Sequence, residues 1–533
     1  MKGESGIITS RKSMKLWFPL CLIMVIISAC SSSGGENSAR ENQADNTPPA
    51  TADIVQEQQP FTRVPDRLFW KPPEGWVGDV MPFNNGDQIE LFYLQDWRDG
   101  APGFHPIFHA TTSNLTDYAY HGEAIPFSEI GKQDLAIGTG SAIQVGDTYH
   151  FFYTGHNWMF PDEDKPKEAV MHAVSKDLKT WTKIPEDTFY APEGYERHDF
   201  RDPFVIFNEE KQEYWMLVSA RQEGVAGGVL ALFTSKDLSH WEVGEPLQVE
   251  DTDKYFMLEC ADLFKMGDTW YMVFSEFSDK GATHYRMSES LDGPWIKPEQ
   301  DLFDGKGFYA AKTGAIGDRR YLFGWVPTRQ NEKDYMKWDW AGNMAVHQIV
   351  RNSDGTLSVK PPDEVESLFS EETSIRQMLV LGEASGEPEK LTINAQDGMS
   401  GIVFDQLPAT AKITGTVTFD GDVSYTGFVA GVGEEAERAY GIRLEPGEQR
   451  LRYDAAPGKE LRSLKPDLQV PAVLDAGKPY SFTIIIENDA CSFYINGVSL
   501  TARIYKMPGQ SWGWYSGGGT TTLENLKMFL PES

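Results

Sequence analysis

The sequence predicts an all-β protein, a five-bladed β-propeller followed by a C-terminal β-sandwich. Three observations carry that expectation. A unit of strands and turns recurs with a spacing of about 55–65 residues between Phe61 and Pro362. Within each unit apolar residues alternate with period two, and no long 3.6-residue periodicity marks a helical solenoid. A second β-rich region, with its own turn signals, follows the repeats.

The chain begins with basic Arg11, Lys12 and Lys15 ahead of an apolar run from Leu16 to Ile27, which reads as a secretory signal over residues 1–29. The run closes on Ile27-Ser28-Ala29-Cys30, which resembles a bacterial lipobox and makes Cys30 the expected lipidation site. Residues 30–60 are rich in Ser, Asn, Gln, Glu and Pro and read as a flexible linker. The protein is therefore expected to be exported and to meet the membrane through its lipid anchor only. With Cys21 in the signal and Cys30 acylated, Cys260 and Cys491 remain, and they imply no disulfide framework.

The repeats follow over 61–362. Aromatic strands are expected at 89–94, 149–154, 214–219, 270–275 and 320–325, most of them entered through turns such as Asn84-Asn85-Gly86-Asp87. A Ser-x-x-Leu-x-x-Trp turn closes the units at Ser175–Trp181 and Ser235–Trp241, with looser copies at Thr112–Tyr118 and Ser288–Trp295. A four-stranded sheet cannot bury both faces alone, so repeated antiparallel units of this length stack as blades about an axis. Residues 363–388 read as a connection with a short helix near 365–369, and 389–533 as the sandwich.

Charge narrows the function. Against 48 Lys and Arg stand 79 Asp and Glu, a formal net charge of −31 that repels phosphate backbones, so nucleic acid is an improbable partner. A neutral sugar is not repelled, and 15 Trp and 21 Tyr offer rings on which a C–H-rich sugar face can stack. Three carboxylates stand among apolar residues near the opening of a repeat: Asp79 in Trp76–Pro82, Asp202 in Arg201–Val205, and Glu259 in Met257–Asp262. Desolvating a carboxylate is costly unless it is paired or functional, and the first strand of a blade is the innermost. Asp79, Asp202 and Glu259 should thus converge on the central channel from the first, third and fourth blades. His105, His109, His156 and His198 show no zinc-ligand spacing, and no metal or other cofactor is expected.

Arg201-Asp202-Pro203, Glu259-Cys260, Phe308–Thr313 and Gly324-Trp325, with Gly140-Ser141-Ala142, together resemble glycoside hydrolase family 32, the β-fructofuranosidases, levanases and inulinases. The resemblance implies a propeller with a C-terminal sandwich, a fructose-containing oligo- or polysaccharide substrate, and fixed roles. Asp79 would be the nucleophile, Glu259 the general acid/base and Asp202 the transition-state stabiliser. Neighbouring charge and partial burial should then hold Glu259 protonated while Asp79 stays ionised. Substrate contacts are expected from Trp76, Asp96, Trp97, Ser141, Arg201, Tyr309 and Trp325, with Trp340 a further candidate wall. One motif departs from the family: where Trp-Met-Asn-Asp-Pro-Asn-Gly is usual, Gly78 replaces the Asn and Val80-Met81 replace Pro-Asn. An amide that would contact substrate is absent. Two other readings stay open: an inverting arabinofuranosidase- or xylosidase-like propeller, and a non-catalytic surface glycan-binding lipoprotein.

Overall fold

The computed structural model describes residues 61–98, 105–334, 336–432, 439–454 and 468–532. The expected signal, the linker and Cys30 lie outside the described residues, as does Asp99 beside the Asp96-Trp97 pair. The architecture is all-β, a five-bladed propeller and a two-sheet sandwich. Among the described residues the only α-helix is Asp363–Ser367.

Five antiparallel blades form the propeller, the first and fifth sharing one sheet. Each begins on an innermost strand: Trp76–Asn85, Ala136–Val145, Tyr195–Asn208, Glu259–Met266 and Tyr309–Ile316. These five pack side by side in a closed ring. The fourth blade has three regular strands, its outer edge being covered by bridges from Leu302 to His284 and from Ile296 to Met287. Val77 pairs with Gly342, joining the first blade to the last.

The recurrent turn motif has a physical cause. In its second copy the Ser175 hydroxyl oxygen accepts the Leu178 N–H (3.0 Å), Asp177 accepts those of Lys179 and Thr180 (2.9 and 2.7 Å), and the Trp181 indole donates to the Leu178 carbonyl (3.1 Å). Leu178 therefore sits left-handed at φ 62° with its side chain buried, as do Leu115 and Leu238 at 59° and 67°. Side-chain acceptors for the turn's amides offset a backbone cost that Leu would not otherwise bear.

In the sandwich, one sheet runs in the order 383–387, 390–394, 520–530, 410–419, 480–487, 490–495, 498–503, and the other 377–381, 399–406, 511–517, 425–432, 440–445, 450–454, 469–471. Their facing side chains, among them Phe428, Ile484, Phe493, Trp512 and Trp514, form the larger core. Residues 363–388 were expected only to connect. Instead Glu371–Thr373, Gln377–Leu381 and Glu383–Glu387 pair into both sheets, which draws the sandwich's first strands from that segment. These strands are short and largely exposed, so they lack the buried alternation by which a strand is recognised. The sandwich grips the propeller through buried polar groups. One Glu487 oxygen accepts the N–H groups of Arg67, Leu68 and Phe69 (2.9, 2.9 and 3.0 Å), and Asp304 accepts from His347 and the Thr501 hydroxyl (3.0 and 2.6 Å).

Candidate active site

All five innermost strands break register at the same place. In the first blade two residues, Asp79 and Val80, oppose the single Tyr93; in the third, Asp202 and Pro203 oppose Val218; in the fourth, Cys260 and Ala261 oppose Phe274; in the fifth, Ala310 and Ala311 oppose Gly324. In the second blade Thr139 is the extra residue. Asp79, Asp202, Cys260 and Ala310 are all left-handed, with φ of 26°, 58°, 55° and 53°. A β-bulge re-aims side chains and ends regular pairing, and here it turns two successive residues of each blade toward the axis. The bulge residues make one tier: Asp79, Thr139, Asp202, Cys260 and Ala310. The residues before them make another: Gly78, Gly138, Arg201, Glu259 and Tyr309. The three carboxylates are therefore not at equivalent positions. Glu259 belongs to the tier of Arg201 and Tyr309, one residue ahead of Asp79 and Asp202.

Hydrogen bonds run within each tier. Arg201 donates from Nε and Nη2 to Glu259 Oε1 (3.1 and 2.9 Å), while the Tyr309 hydroxyl donates to Oε2 (2.7 Å). Asp79 accepts the Trp325 indole N–H at Oδ1 (2.9 Å) and the Thr139 hydroxyl at Oδ2 (2.7 Å). Asp202 Oδ2 accepts the Cys260 N–H at 3.0 Å. On its other side Arg201 pairs with Glu168 (3.2 Å) and lies 3.6 Å from Asp199.

Burial and charge set the protonation landscape. Burial pushes Asp79 above the usual carboxylate range, the Thr139 and Trp325 donors offset part of that, and Glu259 adds to it. Burial and the Glu259 charge raise Asp202 to about 7, with Arg201 pulling the other way. Burial would raise Glu168 too, but Arg201, His156 and Lys167 outweigh it and hold that carboxyl at about 2. The expected division, a protonated Glu259 beside an ionised Asp79, rests on neighbouring negative charge and partial burial. Both Glu259 oxygens meet donors, and burial lifts the carboxyls of Asp79 and Asp202. Fully buried Lys312 donates to the Gly140 carbonyl (2.9 Å), and burial lowers its ammonium pKa against the pull of Asp262, Cys260, Asp202 and Asp79.

A cavity of about 320 Å³ opens over these groups, its lining combining the charged Asp79, Asp202, Glu259, Arg201 and Glu168 with the apolar Leu94, Ala136, Ile137 and Trp340. Of the residues expected at the sugar, Arg201 lines it, while Tyr309 and Trp325 act from behind through Glu259 and Asp79. Asp96 is taken up by an ion pair with Arg98 and by His105 at 4.0 Å. Trp76, half-buried under the Lys71 ammonium (4.6 Å), and Trp97, 39% exposed with its ring edge-on to Phe108, stand off the cavity wall. Ser141 is buried and engaged elsewhere: its hydroxyl donates to the Pro203 carbonyl (3.1 Å) and accepts the Val205 N–H (3.0 Å), stitching the second blade to the third. The residue facing the cavity is Thr139, two positions earlier, because the bulge falls there. Thr139, Glu168, His105 and His156 escaped the sequence reading. The histidines carry no spacing that marks them in the sequence, and Glu168 opens a third-in-order strand, Glu168–Ser175, rather than an innermost one. Among the described residues no group of three or more His, Cys, Asp or Glu is arranged to hold a metal ion.

This geometry can be set beside known proteins. The family model described as glycosyl hydrolases family 32 N-terminal domain matches residues 70–361. A sucrose-6-phosphate hydrolase of Escherichia coli is 25% identical over 481 residues, covering 85% of this chain and 92% of that protein. The structure of a sucrose-6-phosphate hydrolase from Lactobacillus gasseri superposes with a TM-score of 0.66 at 18% identity, over 88% of this chain and 93% of that one. The fructan 1-exohydrolase IIa of Cichorium intybus gives 0.64 at 16% identity, over 89% and 98%. The two structures share the fold, and the family match spans all five blades and the carboxylate tiers. The chain belongs to glycosyl hydrolase family 32 and is a glycosidase, an enzyme that hydrolyses O-glycosyl bonds.

Proposed function

We propose that the enzyme cleaves neutral β-fructosides with retention, through a covalent fructosyl-enzyme intermediate. The observation that carries this reading is the convergence of Asp79, Asp202 and Glu259 on one cavity, each held by different partners. Asp79 attacks the anomeric carbon. Its two neutral donors, Trp325 and Thr139, fix the carboxylate's orientation without cancelling its charge. Glu259 gives its proton to the departing oxygen and later takes one from the attacking water. The Tyr309 hydroxyl suits both states, since a phenol can donate to the carboxylate and accept from the acid. Asp202 hydrogen-bonds the sugar hydroxyls as positive charge develops on the ring.

Names among the relatives point to fructose-containing substrates, and the cavity's charge favours uncharged ones. Four carboxyl groups line it against one guanidinium, Arg201, which Glu168 and Glu259 already share. A phosphate close to the reacting centre would meet net negative charge. Fructosyl transfer to a second sugar uses the same intermediate.

The test is turnover of sucrose, sucrose-6-phosphate, inulin, levan and an aryl β-fructofuranoside by the wild type, Asp79→Ala and Glu259→Ala, with NMR of the first-formed anomer. Retention is expected, with Asp79→Ala slower by about 10⁴-fold. Release of the inverted anomer overturns the double displacement, and equal background rates in all three proteins would leave only binding. We also propose that the enzyme is exported and anchored through a diacylated Cys30. Cys30→Ser should move it from the membrane fraction to the soluble one, and unchanged fractionation would refute the anchor.

A further inference from the structure

We propose that Trp340 is the specificity-determining wall of the cavity, standing in the space from which an amide would reach the sugar, and that the substrate lays a C–H-rich ring face on its indole. The identity of that sugar rests on the β-fructoside reading; the role of the ring does not.

Gly78 is the pivot. A Cβ built on it would stand 2.1, 2.5 and 2.7 Å from Trp340 Cη2, Cζ2 and Cζ3. Its φ lies outside the left-handed region, so glycine is required here for room and not for backbone conformation. Two neighbours hold the ring in place: it stacks on His105 (centroids 4.3 Å apart, planes at 28°) and meets Trp325 edge-on (5.8 Å, 61°).

The chain has a device that delivers the indole to this spot. Strand Trp338–Arg351 pairs Trp338 with Arg329 and Gly342 with Pro327, so Asp339, Trp340 and Ala341 together oppose the single Thr328. Ala341 is left-handed at φ 63°, and Gly342 lies so close to the Val326 carbonyl that a Cβ there would be 1.7 Å from its oxygen. Two glycines and a strained alanine thus accommodate one tryptophan, and non-glycine residues in that conformation persist where the surroundings hold them.

The exchange changes what the site recognises. An amide would bond a particular hydroxyl. The indole presents a ring face, with one N–H at its edge, and joins Leu94, Ala136 and Ile137 as apolar lining of the same cavity as the carboxylates. The substrate class that fits is a neutral fructosyl unit whose hydroxyl on that side is absent, substituted or turned away, and its C–H face covers the ring.

The experiment compares wild type, W340A, W340F, W340L, G78N and G78N/W340A for kcat and KM on the best substrate of the panel, alongside thermal melts and tryptophan fluorescence titrations with neutral sugars. W340A should raise KM at least tenfold while kcat changes less than threefold, and W340F should stay within threefold of wild type. If W340A does not fold, the W340F and W340L pair carries the same comparison. G78N alone cannot seat both side chains and should lose activity at least a hundredfold, and G78N/W340A should recover at least tenfold over G78N. A KM within twofold of wild type in W340A or W340L, or a G78N enzyme as active as wild type, overturns the proposal. Should the wild type cleave no β-fructoside, the proposed function fails and the Trp340 assignment is read from sugar binding by the same variants: a tenfold weaker affinity in W340A supports it, and no wild-type sugar binding overturns it.

Discussion

Replacing Asp202 by Asn separates what this carboxyl does for catalysis from what it costs the fold. The group is buried and titrates at about 7, chiefly because burial disfavours its charge and Glu259 adds repulsion. A carboxyl whose folded pKa lies above its unfolded value of 3.8 binds more protons in the folded state, so stability falls as pH rises from about 4 through 7. A rise of roughly 3 units corresponds to about 4 kcal/mol at 1.36 kcal/mol per unit. Asn is isosteric with the protonated acid and keeps an acceptor for the Cys260 N–H. D202N should therefore be more stable than wild type by up to about 4 kcal/mol at pH 8, with the advantage shrinking to under about 2 kcal/mol at pH 5. Activity should move the other way, by about 10²–10³-fold, the scale on which lost transition-state hydrogen bonds register. Urea unfolding at the two pH values measures the first quantity and kcat/KM the second. A stability difference between D202N and wild type that stays constant from pH 5 to 8 would refute the burial of an ionising Asp202. An active D202N would refute its role.

Three further outcomes follow from neighbouring contacts. E168Q removes a carboxylate held at about 2, whose stabilisation is complete above its usual 4.5 and is lost as pH falls from there toward 2. Acid unfolding of wild type should steepen across that window by about 3 kcal/mol relative to E168Q, and kcat/KM of E168Q should drop about tenfold as Arg201 loses its second anchor. T139V deletes one of two donors to Asp79 while keeping volume, and a kcat about ten to a hundred times lower is expected from single-turnover measurement, matching the 1.5–3 kcal/mol of a hydrogen bond to a charged group. K312M removes a buried ammonium that interacts with Asp79, Asp202 and Asp262, so the acidic limb of the kcat/KM profile should move to higher pH by about one unit, and an unmoved limb counts against that electrostatic role.

The repeat was legible because its signals are local. The aromatic strands expected at 89–94, 149–154, 214–219, 270–275 and 320–325 lie within the observed Gln88–Asp96, Thr148–His156, Glu213–Gln222, Thr269–Glu276 and Arg319–Arg329. Their β-branched and aromatic residues pack on neighbouring blades, and that context agrees with their intrinsic preference. The convergence of Asp79, Asp202 and Glu259 was legible for the same reason, since each marks an innermost strand. What sequence did not disclose were contacts set by the bulges and by packing between blades. Ser141 looked like the second blade's contribution because it is polar and follows a glycine, yet the bulge brings Thr139 to the cavity and gives Ser141 to the Pro203 carbonyl. Glu168 lies 33 residues from Arg201 in sequence, and only blade stacking brings them together. The strands at 371–387 are short and exposed, so the pattern that identifies a strand was missing where the pairing was present.

The offset between the two tiers gives the three acids different partners. A bulge that places two residues opposite one gives each blade a pair of successive residues at the same height, and the tier decides the company each keeps. In the tier of Gly78, Arg201, Glu259 and Tyr309, the guanidinium donates to one oxygen of the acid and the phenol, which can donate or accept, to the other. In the tier of Asp79, Thr139, Asp202 and Cys260, the partners are neutral donors, a hydroxyl, an indole and a backbone amide, which orient a carboxylate but leave burial to set its charge. Shifting Glu259 by one residue onto the bulge would place it where Cys260 stands, beyond the geometry that gives it Arg201 and Tyr309. The variant E259C/C260E performs that shift with composition unchanged. Because it puts a larger, ionisable side chain at the buried, left-handed Cys260 position, folding is checked first by thermal melt, with C260A as a control for the buried site, and the folded enzyme should lose activity as completely as Glu259→Ala. Retained turnover in the exchanged enzyme would mean that the tiers are interchangeable and that the proton-handling role of Glu259 does not depend on its neighbours.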